Sequence, residues 1–571
     1  MKYRSLLRTS LQSIEYSEQP LCNEARQESK ARILLLVVIT VVCLFPFLGK
    51  PFNIDDPLFI WTAKNIQTSP LDPYGFNVNW YGIESRMSDV NKNPPGVSYY
   101  IALVGFLFGW NEVTLHSAFL LPAIAVVIGT FLIARHFCTR PVLASLIALL
   151  TPVFLVSSTT VMSDTMMLAF WVFAVYFWVS GLEKSSFPML LLSVILISIC
   201  ALTKYFGLTL IPLLLCYSVM KRRNVGLWIL FMLIPVAILA WYQLATNELY
   251  GKGLLMDAAS YATNFPSQFE KLSFSKVLVG LSFTGGCIFV VIFFTKLIWS
   301  WEVISTGAIL TFIVTIVVAF SKLLGNYQLP EEAWARWIIA FELGIFTVGG
   351  ISLLAIAILD LARRRDADSC LLFLWIIGTF IFATFINWTT SARNILPMIP
   401  AAGILIERRI QERRRLQNHI FLRQILTPLV AAAVIALAVT WADYRLAESA
   451  RTASTEVQDK YLNKRVNIWF SGHWGFQYYM QNMGAKAIDI YRSPFTSGDI
   501  VIAPSNNSNT IYPRSEYFRL REIIKVPSGI WLTTMSCNIG AGFYSDVWGP
   551  LPFAAGTVPL EQYSIFEFNE E

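Results

Sequence analysis

Charge is scarce in this sequence: of 571 residues only 14% are Asp, Glu, Lys or Arg, against 55% hydrophobic. That balance excludes the three or four soluble domains such a length would otherwise imply. Histidine occurs four times, at His116, His136, His419 and His473, too widely spaced for a His-rich metal cluster. The eight cysteines are scattered, several inside apolar runs (Cys43, Cys200, Cys216, Cys287), with no CxxC pair and no disulfide framework. There is no Walker loop and no dinucleotide fingerprint opening a βαβ unit, which argues against a sugar nucleotide as donor. Internal repeats and low-complexity tracts are also missing.

What the sequence has is apolar length. Runs long enough to cross about 30 Å of hydrocarbon fall at 33–49, 116–135, 141–157, 166–181, 188–203, 206–220, 225–246, 277–299, 303–320, 337–359, 370–388, 395–406 and 421–441, thirteen in all. The first begins after some thirty polar residues and lacks a small-residue cleavage site, so it reads as a retained helix. The stretch 97–110 is too short to cross and fits an interfacial or re-entrant segment.

The net charge of +7 sits in tight clusters between runs, at Lys221-Arg222-Arg223, Arg363-Arg364-Arg365, Arg408-Arg409 and Arg413-Arg414-Arg415. No aromatic-interleaved basic face accompanies it, so nucleic acid is not an expected partner. Under the positive-inside rule, the clusters after Ala134, Met220, Leu361 and Ile406, with Lys30 and Arg32, all fall on the cytoplasmic side of a thirteen-span chain. The expectation is therefore a mainly α, polytopic membrane helix bundle with a cytoplasmic N-terminal segment at 1–32 and a transmembrane unit at 33–443. A large external loop occupies 50–115, and the tail at 444–571 reads as a small extracytoplasmic α/β domain. Strand-like runs at 466–470, 500–503 and 530–534, with glycines at Gly472, Gly475, Gly540 and Gly542, give the tail its different composition.

Polar chemistry collects on the external side. The first loop opens with Phe52-Asn53-Ile54-Asp55-Asp56-Pro57, two adjacent carboxylates that repel each other beside a bilayer face. Asp56 before Pro57 has the pattern of a helix N-cap followed by proline at the first helical position, which leaves Asp55 without a local duty. Further on, Lys92 stands in Asn91-Lys92-Asn93-Pro94-Pro95-Gly96, either snorkelling beside a turn or placed to hold a phosphate. Asp164 in Met162-Ser163-Asp164-Thr165-Met166 is a third acid, with helix capping by it or by Ser163 as the alternative. Lys204 in Thr203-Lys204-Tyr205 and Arg393 in Ala392-Arg393-Asn394 interrupt apolar sequence, where cations tend to meet an anion.

This arrangement resembles the GT-C superfamily of lipid-dependent glycosyltransferases, in particular the bacterial aminoarabinose transferase and protein O-mannosyltransferase group. The motifs that carry the resemblance are Ile54-Asp55-Asp56, Lys92-Asn93-Pro94-Pro95, Ser163-Asp164-Thr165-Met166, Thr203-Lys204 and the stretch from Arg393 to Pro397 and Pro400, over about the first 440 residues. The resemblance implies that Asp55 is the acceptor-binding acid or base, with Asp164 the matching acid of the second loop. It also implies that Lys92, Lys204 and Arg393 surround a lipid phosphate. The sequence departs from the pattern twice: Asn93 separates Lys92 from the proline pair, and Asn394 follows Arg393 where an aromatic residue is common.

These features predict an inverting glycosyltransferase of the plasma (inner) membrane, moving a sugar from a polyprenyl-phosphate carrier to an envelope lipid, glycan or protein. Asp55, Asp56 and Asp164 are the candidate catalytic acids, and Lys92, Lys204 and Arg393 the candidate phosphate ligands. No cofactor is required by the sequence, although paired carboxylates suit a divalent metal ion. The competing expectation is a non-enzymatic lipid-linked sugar flippase, which would set its polar groups within the spans near mid-membrane.

Overall fold

The computed structural model describes residues 28–223, 226, 228–264, 273–321, 323–325, 327, 332–416, 422–461, 466–514 and 516–569. Most of the expected N-terminal segment, parts of the connections between the runs 225–246 and 277–299 and between 303–320 and 337–359, and His419 lie outside them.

In hydrocarbon every backbone N–H and C=O must be satisfied within the segment, so the apolar runs fold as helices. Among the described residues eight helices are long and apolar enough to cross a membrane: Glu28–Phe47, Glu112–Phe137, Ser163–Lys184, Trp228–Tyr250, Trp301–Phe320, Ala333–Arg364, Ala367–Ile386 and Leu422–Tyr461. The other five runs are short or interrupted. Pro141–Leu149 and Pro152–Ser158 meet at a 66° bend and make a ninth span if counted together. Thr151 caps the second piece and Pro152 cannot continue the first. Phe187–Thr203 is a shorter apolar helix. The run at 206–220 opens as a 3-10 turn, Tyr205–Thr209, before Leu210–Arg222. The run at 277–299 divides into Phe274–Cys287, Val290–Phe293 and Thr295–Ile298, and the one at 395–406 is split by the 3-10 turn Leu396–Met398. The stretch expected to be interfacial is the 13-residue helix Gly96–Phe108.

Small residues let the bundle close. Phe274–Cys287 packs so tightly on Ala333–Arg364 that a Cβ on Gly285 would lie 1.8 Å from the Phe346 carbonyl oxygen, the close backbone approach that small residues allow between membrane helices.

The basic clusters converge at one end of the bundle. Lys221 pairs with Glu183 and Asp368, Arg408 with Asp360, and Arg363 with Glu412. The helix Ser163–Lys184 starts at the opposite end and runs 22 residues, about 33 Å, toward this cluster.

The tail begins as a direct continuation of the last span, since Leu422–Tyr461 is one helix through the expected boundary at 443/444. Its sheet runs in the order Lys486–Ala487, Ile468–Phe470, Ile500–Pro504, Glu561–Phe568, Phe518–Val526. The first three strands are parallel and the last two pairings antiparallel. Ala453, Val457 and Tyr461 of the long helix share a core with Phe470, Ile502 and Ile565 of the sheet. The segment from Leu532 to Val558 instead shares the core of the bundle through Met535, Phe543, Leu551 and Phe553. The tail is thereby fastened to the membrane unit along its length.

Candidate active site

The first loop enters the site through a strained turn. Ile54 has φ +47, a left-handed conformation costly for a β-branched residue and typical of functional sites. The helix Asp56–Thr68 follows, with Asp55 at its N-cap position, Asp56 first in the helix and Pro57 next. This corrects the expected cap: Asp56 does not occupy that position, and Asp55, which does, makes no capping bond with its side chain. Asp56 is fully buried and binds elsewhere, accepting the Asn53 N–H at 2.9 Å and the Val161 N–H at 2.8 Å. It thus closes its own turn and ties the first loop to the second. Burial pushes its carboxyl up to about 7, although the two amides and the Lys50 ammonium pull the other way.

The Asp55 side chain, which makes no capping bond, is met instead by Arg393. Arg393 sits in the four-residue helix Ala392–Ile395 just beyond the π-helical end, Phe382–Ile386, of a membrane helix. Such widened turns break the regular ladder and often mark functional positions. Its Nη1 donates to Asp55 Oδ2 at 2.9 Å, and its guanidinium lies 5.5 Å from the centre of the Tyr544 ring, contributed by the tail.

Asp164 lies in the first turn of Ser163–Lys184, whose N-cap is Met162 with no side-chain bond, so neither Ser163 nor Asp164 caps it. Asp164 Oδ1 instead accepts from Lys204 Nζ at 2.5 Å. Lys204 is presented by the break between Phe187–Thr203 and the following 3-10 turn. Lys92 is not a lone snorkelling cation: its Nζ donates to Asp257 Oδ2 at 2.7 Å and stands 5.6 Å from the Tyr261 ring. Asp257 also accepts from Lys252, which in turn reaches Asp89. Partial burial raises the Asp257 carboxyl, but the two ammonium groups outweigh it and hold it below the usual carboxylate range.

These parts line one cavity of about 1010 Å³. Five of the six side chains selected from the sequence face it, Asp55, Lys92, Asp164, Lys204 and Arg393, while Asp56 lies buried behind. Leu58, Phe59, Phe206 and Phe382 give it apolar walls, and Trp474, Tyr544, Asp546 and Trp548 of the tail complete it. Trp474 is held at φ +63, a second strained residue at the same cavity.

Several participants were not selected from the sequence. Asp443, fully buried in the last membrane helix, accepts from Lys50, from Thr534 Oγ1 at 2.7 Å and from Tyr544 Oη at 2.9 Å. An acid in a membrane helix with a lysine at the end of another was the available signal. Asp546 accepts from Thr389 Oγ1 and the Thr390 N–H and stands 3.4 Å from Lys276, fixing the strand of chain that leads to Arg393. Nothing local in the sequence marks Asp257 or Asp546, which reach the site only through the fold.

A divalent ion has no evident seat at the adjacent acids. Asp56 uses both oxygens on backbone amides and Asp55 pairs with Arg393. Among the described residues no group of three or more His, Cys, Asp and Glu side chains comes together.

Comparisons with known proteins fall on the same region. Residues 92–244 match the family model of the dolichyl-phosphate-mannose-protein mannosyltransferases, a span that contains Lys92, Asp164 and Lys204. No curated protein matches the chain in a sequence search. Among solved structures, the apo oligosaccharyltransferase of Archaeoglobus fulgidus aligns over 80% of this chain and 64% of its own, with 13% identity and a TM-score of 0.47. ArnT from Cupriavidus metallidurans bound to undecaprenyl phosphate aligns over 82% and 92%, with 12% identity and a TM-score of 0.38. The mycobacterial arabinofuranosyltransferase AftD aligns over 96% and 40%, with 12% identity and a TM-score of 0.44. The chain thus spans a little under two thirds of the archaeal enzyme's length and two fifths of AftD's. The chain resembles the GT-C lipid-dependent glycosyltransferases.

Proposed function

We propose that this protein is an inverting glycosyltransferase that moves a sugar from a polyprenyl-phosphate-linked donor to an acceptor hydroxyl on the extracytoplasmic face of the plasma membrane. The observation that carries this reading is the gathering of an acid paired with an arginine, a second acid paired with a lysine, and a further lysine in one cavity with apolar walls. The family model supports it, because the matched segment contributes three of those side chains and its family takes a lipid phosphate sugar.

In this mechanism the acceptor hydroxyl attacks the anomeric carbon as the bond to the phosphate oxygen breaks, through an oxocarbenium-like transition state, and the configuration inverts. Asp55 takes the hydroxyl proton. Charge develops on the departing lipid phosphate, and Arg393, Lys204 and Lys92 are placed to meet it. Asp164 holds Lys204 in position. Asp56 serves by building the turn that presents Asp55.

The positive-inside rule, applied to the basic clusters, supports a cytoplasmic position for their end of the bundle and an external one for the cavity and tail. The flippase alternative is disfavoured because the cavity's charged groups collect at the end of the bundle that carries the tail, where a transporter would place them near mid-membrane. The test is incubation of the purified chain in lipid nanodiscs with a radiolabelled polyprenyl-phosphate sugar and an extract of envelope acceptors. Label should leave the carrier and appear in an acceptor. Carrier that crosses the bilayer intact, with no label transferred, would favour the flippase.

A further inference from the structure

A second cavity, of about 590 Å³, lies where the first loop meets the tail. Trp61 and Lys64 of the helix Asp56–Thr68, Asn77 and Glu84 of the adjoining hairpin, and Gln481 and Asp489 of the tail line it. It adjoins the main cavity: Val78 and Asn79 face the second one and Trp80 and Tyr81 the first. Trp61 meets Trp80 edge to face at 6.2 Å and 81°.

Its chemistry differs from that of the main cavity. One ammonium and two carboxylates leave no excess of positive charge for a phosphate, and amides and charged groups share the lining with Trp61, Phe76, Val78 and Ala487. Amide, carboxylate and ammonium groups around an indole supply donors, acceptors and an apolar face together. A sugar ring presents the complement, with hydroxyls on its rim and C–H bonds on its faces. The side chains of Asn77, Glu84 and Gln481 are exposed and make no hydrogen bond among the described residues, and no carboxylate pairs with Lys64 there. The walls are nevertheless fixed. The Glu84 N–H donates to Asp489, Gln477 Nε2 donates to the Asn79 carbonyl and Asn79 Nδ2 donates to the Ile488 carbonyl, so hairpin and tail are locked together before any ligand arrives. A preformed site with unengaged polar groups loses little in ordering on binding.

We infer that this second cavity binds a neutral saccharide, separate from the bond-making site. Taken with the proposed glycosyltransferase activity, on which this identification of the role rests, the saccharide is the part of a glycan acceptor that does not react. The experiment is a panel of neutral, sialylated and phosphorylated oligosaccharides presented to the full-length chain in nanodiscs. The wild type and Asp55→Asn should bind the same neutral members, and the double variant Glu84→Ala/Gln481→Ala should bind them at least tenfold more weakly. Gln481→Asn, which keeps the amide, should recover part of the loss. Binding of none of the neutral glycans overturns the site, as does neutral binding that survives the double variant or that disappears in Asp55→Asn. Donor consumption by the wild type is measured alongside, so failure of the glycosyltransferase reading appears there and failure of the saccharide site appears only in the binding panel.

Discussion

Arg393 and Asp55, 338 residues apart in the chain, meet at 2.9 Å at the wall of the main cavity. The proposed base and a proposed phosphate ligand are therefore partners before the donor arrives. The arginine fixes the direction of the carboxylate. An incoming phosphate competes for the same guanidinium, whose remaining N–H groups allow it to serve both.

The two members of this pair should fail differently. Asp55→Asn should lower the transfer rate by about 10² to 10⁴ with little change in donor KM, since general-base assistance is of that size. Arg393→Ala should weaken donor use by about 1.5–3 kcal/mol, the value of a charge-assisted contact, while the protein still accumulates in the membrane. Steady-state kinetics with a polyprenyl-phosphate sugar checks both, and an Asp55→Asn enzyme with ordinary kcat removes Asp55 from the chemistry.

Asp56 should behave as a structural acid. Its carboxyl titrates near 3.8 in an unfolded chain and near 7 in the native one, chiefly because it is buried. Between those values the native chain holds the extra proton, so this group's contribution to stability is full below about pH 4 and is lost as pH rises to 7. Asp56→Asn does not titrate and removes that dependence. Wild type should therefore be more stable relative to Asp56→Asn at pH 4.5 than at pH 7.5, read as the difference between their melting temperatures. Parallel curves would deny the raised value.

How much of this was legible in the sequence depends on range. Lys204 and Arg393 stood out because they interrupt apolar sequence, Asp55 as the member of an adjacent acid pair without a local duty and Asp164 as an external acid between two apolar runs, and all four reach one cavity. Runs such as 141–157 and 277–299 counted as single spans because hydropathy registers length but not the turn that Pro152 starts or the break after Cys287. The partner of each cation was illegible, since Asp55 with Arg393 and Lys92 with Asp257 are joined by tertiary folding alone. Asp56 was misread because its local pattern fits a cap, whereas one of the two amides it binds, that of Val161, lies 105 residues away.

Lys92 is restrained by Asp257, and this sets the order of the lysine effects. Lys92→Ala should raise donor KM less than Lys204→Ala does, because Lys92 divides its charge between Asp257 and the cavity. Asp257→Asn keeps the shape of the side chain and releases the ammonium, so donor KM should fall, more at low salt than at high. If KM is the same in Asp257→Asn and wild type at every salt concentration, Lys92 does not touch the phosphate.

Orientation is open to a direct check. A reporter fused after Arg365, beside the ion pairs that join Arg363 to Glu412 and Arg408 to Asp360, should report cytoplasm. One fused to the C-terminus should report the exterior. Both on one side of the membrane would overturn the sidedness assigned to the cavity.

Tyr544 offers the sharpest separation of roles within the tail. Its ring faces the Arg393 guanidinium and its hydroxyl donates to Asp443, the buried acid that also receives Lys50 and Thr534. Tyr544→Phe keeps the ring and removes one of three donors to Asp443, leaving the acid still paired with lysine. Loss of a single hydrogen bond of that kind costs about 1–3 kcal/mol of stability, with Arg393 still covered, so kcat and donor KM should stay close to wild type. Tyr544→Leu keeps bulk but removes the aromatic face, and the guanidinium loses a contact worth about 0.5–2 kcal/mol. Donor KM should then rise two- to thirtyfold while thermal stability falls no further than in Tyr544→Phe. Equal kinetics in the two variants would mean that Tyr544 acts only by anchoring the tail to Asp443, and that Arg393 is positioned by Asp55 alone.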